Sequence, residues 1–260
     1  MTTISALEKV YKKGLFGDHE NKKDDNLIKI SEIKSLIIFQ IVQYKNSSIS
    51  IKDINIIAAV DCTGHGVPGA FMSMIGNTLL NEIVVEKRIT EPGLILNHLH
   101  ESVINTLHQN KEGQHAQDGM DISICSIDSY KKEIKFAGAK NPIYVIKNNQ
   151  LEIIKGDSFS IGGMNPFSRK TKETKTTVSF KSKNIEYSEN MNIYLFTDGY
   201  IDQYGKNDKN SFGSKRFKSM LLDIHNEDAK TQKNIIFKKM KEWKGDTKQL
   251  DDMLVIGFKV

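Results

Sequence analysis

The sequence predicts an α+β fold, and three observations carry that prediction. Short strand-like runs bounded by turn residues crowd the middle and the end of the chain, helix-periodic stretches are segregated from them, and three of the strands carry Asp at one end. With 260 residues, 38% of them hydrophobic, the chain suits one domain with a substantial core and leaves no room for a large sensor module.

The elements follow in order. Residues 1–33 are polar and rich in Lys, Asp and Asn, and read as a partly flexible N-terminal extension containing a short helix. Residues 34–260 read as the folded domain. Ser35 to Lys45 (SLIIFQIVQYK) and Ile54 to Val60 (INIIAAV) are expected strands, the second a continuous apolar run of the buried kind. Gly69 to Lys87 and Pro92 to Lys111 read as paired helices. Phe71, Ile75, Leu79 and Ile83 form the apolar stripe of the first, and Leu94, Leu96, Leu99, Val103 and Leu107 that of the second. Both stripes are expected to pack in the core, with Met72 and Met74 filling gaps. Asp121 to Ser126, Glu133 to Ala137, Pro142 to Lys147 and Leu151 to Lys155 then suggest an antiparallel meander, with Ser160 to Gly163 (SIGG) a tight turn. Asn192 to Thr197 is a strand, Lys215 to Ile224 and Lys230 to Trp243 are surface helices, and Met253 to Phe258 closes the chain as a strand.

The acids at strand ends carry the chemistry. Asp61 follows Ile54 to Val60, Asp198 follows Asn192 to Thr197, and Asp251-Asp252 precede the last strand. Gly64, Gly66 and Gly69 let the backbone bend after Asp61, and Pro68 suits a first helical turn. A single strand-end Asp most often serves a turn or cap, but three such carboxylates suit a hard divalent cation, which takes carboxylate, carbonyl and water oxygens. The seven His and two Cys show no zinc-type spacing. Cys62 has no base in evidence and is not a convincing nucleophile.

Seven strings, DCTGHGVPGAFMSMIGNTLLNEIV, DGMDISIC, FAGAKNPIYVI, SIGG, YLFTDGYIDQYG, GSKRF and DDMLVIG, run in one order from Asp61 to Gly257, within a matching region of roughly Ile54 to Val260. In that order the chain resembles SpoIIE-type (RsbU-like) serine/threonine phosphatases, a bacterial branch of the metal-dependent 2C-type (PPM) protein phosphatases. The resemblance implies two central antiparallel sheets flanked by pairs of helices. It also implies a site of two Mn²⁺ or Mg²⁺ ions that hydrolyses phosphoserine or phosphothreonine by attack of a metal-bound water. Carried over, Asp61 is the bridging ligand with the Cys62 carbonyl beside it, Asp198 and Asp251 are further ligands, and Asp118, with Asp121 as the alternative, is an additional weaker position. His65 could assist the leaving group or orient the backbone, and Asn141 could bond near the site or shape its turn. The helix pair would act as a regulatory switch. One departure stands out: the acid that relatives carry on the strand before the first motif is missing, with Gln43 or Tyr44 near its place and Asp53 in the turn that follows. Losing one carboxylate weakens a cation site without abolishing it.

Charge and hydropathy exclude other classes. A net charge of +5 arises from 37 basic and 32 acidic residues scattered along the chain, which argues against a dedicated nucleic-acid surface. The lysine-rich Ser168 to Thr177 reads as a solvated loop. No apolar run of signal-peptide length, or of the roughly 20 residues a membrane span needs, is present, so a cytoplasmic location without a membrane partner is expected. Cys62 and Cys125 read as reduced thiols. The family resemblance makes the partner a phosphorylated regulatory protein, such as an anti-sigma-factor antagonist, and a homodimer through the N-terminal arm or the helix pair is a further expectation. A non-catalytic signalling module and a phosphatase of small phosphate esters are the two rival readings.

Overall fold

The computed structural model describes residues 27–31, 36–42, 54–64, 67–109, 118–163, 178–206 and 210–260, the first two stretches as backbone. Eleven strands are described. They are β1 (Leu27–Ser31), β2 (Leu36–Val42), β3 (Ile54–Cys62), β4 (Gly119–Asp128), β5 (Glu133–Ala139), β6 (Ile143–Lys147), β7 (Gln150–Ile154), β8 (Ile161–Gly162), β9 (Lys183–Ile185), β10 (Asn192–Phe196) and β11 (Leu254–Lys259). The helices are α1 (Val67–Asn81), continued by a π turn over Glu82–Glu86, then α2 (Pro92–Thr106), α3 (Gly199–Asp202), α4 (Gly213–Ile224) and α5 (Ala229–Lys244). The fold is α+β with two antiparallel sheets, as expected. The segment before residue 27 and the residues Gln43, Tyr44, Asp53, His65 and 168–177, all named above, lie outside the described residues.

Two compact units divide the chain. The first combines 34–142 and 155–187 around a sheet ordered β2-β3-β4-β5-β9, with β8 paired to β4. Ile56, Ala58 and Val60 of β3 and Ile122 and Ile124 of β4 pack with Met72, Leu80, Ile83, Ile95, Leu96, Leu99 and Val103 of the helical segments. The alternate residues Ile57, Ala59, Ser123 and Cys125 are buried as well, which is why β3 reads as an unbroken apolar run. By that two-residue alternation Asp61 and Asp121 lie on the sheet face opposite α1 and α2.

The predicted stripe of the first helix holds at Ile83, which is fully buried, and is corrected nearer the start. Phe71 is 60% exposed, Ile75 and Leu79 are half-buried, and the buried face is Met72, Gly76 and Leu80, one residue further along. The helix begins at Val67 and carries so many apolar residues that two adjacent stripes fit a 3.6-residue period. Met74 is 66% exposed and fills no gap, and Leu94 of α2 yields its core place to Ile95.

The second unit combines 1–33, 143–154 and 188–260 around the sheet β1-β11-β10-β6-β7. Within the segment read as an N-terminal extension, Leu27–Ser31 pairs antiparallel with Leu254–Phe258 of β11. The expected single meander is also corrected: β4 and β5 pair in one sheet and β6 and β7 in the other. Asn148 and Asn149, both at positive φ, make the two-residue β6–β7 turn that suits right-twisted strands. On this sheet α4 and α5 bury Phe217, Leu221, Ile236 and Met240 against Tyr144, Tyr194, Phe196 and Val255. Phe217 meets Tyr144, Phe196 and Tyr200 at centroid distances of 5.9, 5.0 and 5.1 Å. The buried hydroxyls are satisfied: Tyr194 donates to Gln232 Oε1 (2.8 Å) and Tyr200 to the Ile236 carbonyl (2.9 Å). Asp228 caps α5 by accepting from the Thr231 N–H at 3.0 Å.

Candidate metal centre

In the first unit Asp61 is half-buried and lies within the last two residues of β3, with Cys62 buried beside it. Thr63 then ties this strand end to the start of β4. Its N–H and hydroxyl both donate to the Gly119 carbonyl (2.9 and 3.1 Å), and its hydroxyl accepts from the Gly119 N–H (2.8 Å). Gly119 leaves no space for a side chain, since a Cβ there would lie 2.2 Å from the Ile161 carbonyl oxygen. Gly64, at φ 91°, turns the chain toward α1 in a conformation that L side chains rarely adopt.

The second unit repeats the device. The Thr197 hydroxyl, fully buried, donates to the Asp252 carbonyl (3.0 Å) and accepts from the Leu254 N–H (3.0 Å), joining the end of β10 to the start of β11. Asp198 accepts on its carbonyl from Ile201 and Asp202, opening α3. Asp251 Oδ1 takes the Asp252 N–H at 2.7 Å. The tie leaves Asp198 and Asp251 exposed and offers carboxylate oxygens from the two within 4.8 Å of each other. Thr197→Val keeps the shape but strips a buried N–H and a C=O of their partner, so a loss of about 1–3 kcal/mol in urea unfolding is expected.

The two alternatives for the weaker position are held differently. Asp121 accepts from the Ser160 hydroxyl (2.6 Å) and pairs with Lys140 Nζ (3.4 Å). Asp118 is exposed, and its backbone carbonyl accepts from Gln109 Nε2 at 2.6 Å. Gln109 Oε1 in turn accepts from the Gly163 N–H, and His100 Nδ1 from that of Gly162, so α2 and the turn that follows it grip the SIGG segment. That segment is therefore a short strand, β8, rather than only a turn. Burial holds His100 below its usual imidazole range, which keeps Nδ1 an acceptor.

Cys62 is a buried free thiol beside Asp61. Burial first, with Asp61 adding to it against a hydrogen bond from Ser73, pushes its thiol up to about 11. The neutral thiol dominates at neutral pH, and Cys62→Ala is expected to keep any metal-dependent turnover, checked by comparing kcat. Asn141 Nδ2 is buried without a hydrogen-bond partner, while its backbone N–H donates to the Ala139 carbonyl. Sequence reasoning missed Thr63 and Thr197; their signal is a Thr within two residues of Asp61 and of Asp198.

Two antiparallel sheets with acids at their strand ends define a domain of the PP2C-type phosphatase fold, and solved structures bear this out. The SiaA PP2C domain of Pseudomonas aeruginosa superposes with a TM-score of 0.74 at 23% identity, over 90% of this chain and 85% of that one. The PP2C phosphatase domain and regulatory fragment of the cell fate determinant SpoIIE from Bacillus subtilis gives 0.65 at 13%, over 91% and 62%. RsbX in complex with magnesium gives 0.55 at 14%, over 92% and 98%. In sequence, the family described as stage II sporulation protein E (SpoIIE) matches residues 55–260. The chain belongs to that family. No curated protein sequence matches it.

Proposed function

We propose that the chain is a metal-dependent protein-serine/threonine phosphatase. The observation that supports this reading best is the tied strand end at which Asp198 and Asp251 hold exposed carboxylates within 4.8 Å. Like charges held that close repel one another unless a cation lies between them. The donors are all oxygen, which suits Mg²⁺ or Mn²⁺ rather than a soft metal. In this reading Asp61, the Cys62 carbonyl, Asp198 and Asp251 hold two ions, with Asp118 as a weaker additional ligand. Such ions, when bound, supply an activated water and offset charge on the phosphoryl group. The chain's own part is positional: Thr63 and Thr197 fix the strand ends, Gly64 turns the chain after Asp61, and Gly199 lets the Asp252 backbone approach closely. The magnesium bound by RsbX agrees with this donor set.

The substrate in this reading is a phosphorylated regulatory protein, with an anti-sigma-factor antagonist as the family-based candidate. The protein acts in the cytoplasm; no helix among the described residues is long and apolar enough to cross a membrane. A folded domain of residues 34–260, completed by the strand Leu27–Ser31 from the segment before it, and a homodimer belong to the same reading.

The test is hydrolysis of a phosphoserine peptide and of an aryl phosphate across Mn²⁺ and Mg²⁺ titrations. Metal-dependent release of phosphate, faster from the peptide, is expected. Folded protein that binds the peptide but releases none at any metal concentration would make the domain a non-catalytic signalling module.

A further inference from the structure

We propose that Lys140 is a substrate-binding residue whose ammonium holds phosphoryl oxygens beside Asp61. The inference rests on the phosphatase reading and adds to it a contact that no metal ligand supplies.

The sheet register sets the geometry. Asp61 and Asp121 are directly opposed partners on β3 and β4. Ile122 opposes Ala139 at the end of β5, and the next residue, Lys140, brings its Nζ to within 3.4 Å of Asp121 Oδ2. Opposed residues share a face with Cβ atoms about 4.5–5.5 Å apart. Asp61 and Asp121 therefore stand side by side on the face turned away from α1 and α2, and the Lys140 ammonium extends the row by its contact with Asp121.

The row is electrostatically uneven. Asp121 Oδ1 is already taken by the Ser160 hydroxyl, and Lys140 Nζ approaches Oδ2 at 3.4 Å with its side chain 53% exposed. An ammonium has three donors, so this one long contact leaves capacity for a second anion. An ion pair so exposed adds little to stability, and stability does not explain why Lys140 stands where it does. Its backbone is held at φ 60°, unusual for a side chain that is neither Gly nor Asn. Two short hydrogen bonds maintain that conformation, from the Lys140 N–H to the Asp157 carbonyl (2.7 Å) and from the Asn141 N–H to the Ala139 carbonyl (2.8 Å). Strain over-determined by its surroundings is a mark of positions where side-chain direction matters. A lysine aimed along a row of carboxylates next to Asp61 is placed to take a phosphoryl group, whose charge spreads over three oxygens.

The experiment compares the full chain with Lys140→Gln, Lys140→Arg and the double variant Asp121→Asn/Lys140→Gln, all saturated with Mn²⁺. Inorganic phosphate binding is followed by ³¹P line broadening, and p-nitrophenyl phosphate hydrolysis by KM and kcat. Lys140→Gln should weaken phosphate binding and raise KM about tenfold, with the Mn²⁺ midpoint and the thermal midpoint unchanged. Lys140→Arg should recover most of that loss, and the double variant should stay impaired. Unchanged phosphate binding in Lys140→Gln, a shift in the Mn²⁺ midpoint alone, or restoration in the double variant would overturn the proposal. The last result would make Lys140 a counter-charge to Asp121. A native chain that binds phosphate without turnover defeats the phosphatase reading while the binding comparison still decides Lys140; one that binds no phosphate defeats Lys140 as well.

Discussion

Asp61→Asn, Asp198→Asn and Asp251→Asn should each lower Mn²⁺-dependent hydrolysis of an aryl phosphate by roughly 100-fold or more, because a lost ligand exceeds the 10- to 100-fold typical of its outer partners. Stability should move the other way. In metal-free protein Asp198 and Asp251 crowd two negative charges within 4.8 Å, and neutralising either relieves that repulsion. The thermal midpoint without metal should therefore be unchanged or higher in Asp198→Asn and Asp251→Asn. Added Mn²⁺ should raise the midpoint of the native chain through preferential binding to the folded state, and raise that of the variants far less. Falling stability of the metal-free variants would point to structural carboxylates, and metal-dependent turnover retained in Asp198→Asn would remove that residue from the site.

Gly199→Ala should cost about 2–3 kcal/mol in urea unfolding, at the upper end of overpacking, and shift the Mn²⁺ midpoint as well. A Cβ at Gly199 would lie 2.3 Å from the Asp252 carbonyl oxygen and 3.2 Å from the Asp251 carbonyl carbon, both rigid backbone. The strand ends bearing Asp198 and Asp251 must separate to admit it, which spoils their shared geometry. Gly213→Ala is the control. Gly213 sits at φ 80° with nothing within 4 Å of its Cβ position, so alanine there should cost only the backbone strain of about 1–2 kcal/mol and leave the Mn²⁺ midpoint alone. Equal metal midpoints for Gly199→Ala and the native chain would show that the two strand ends do not set the site.

Several elements were legible because their signal is local. Ile54–Cys62, Glu133–Ala139, Gly213–Ile224 and Ala229–Lys244 lie within a few residues of their predicted bounds, each marked by turn or cap residues at its ends. The stripe of α1 was not legible, since Phe71 and Met72 are equally apolar and only packing tells which of them faces the sheet. Nor was the break between β5 and β6, where three residues, Lys140 to Pro142, could join a hairpin or carry the chain into another sheet.

By itself the sequence determined the family, the α+β class and the residue types able to hold a hard cation, because each is written in composition, in order along the chain and in the two-residue and 3.6-residue periods. Only the tertiary structure decided which groups serve each other: Thr63 with Gly119, Thr197 with Asp252 and Leu254, Asp198 with Asp251, and Asp121 with Ser160 and Lys140. Most of these partners stand tens of residues apart in the chain. Their meeting depends on strand register and sheet order, which are fixed by the joint burial of many side chains and leave no periodic trace in any one segment.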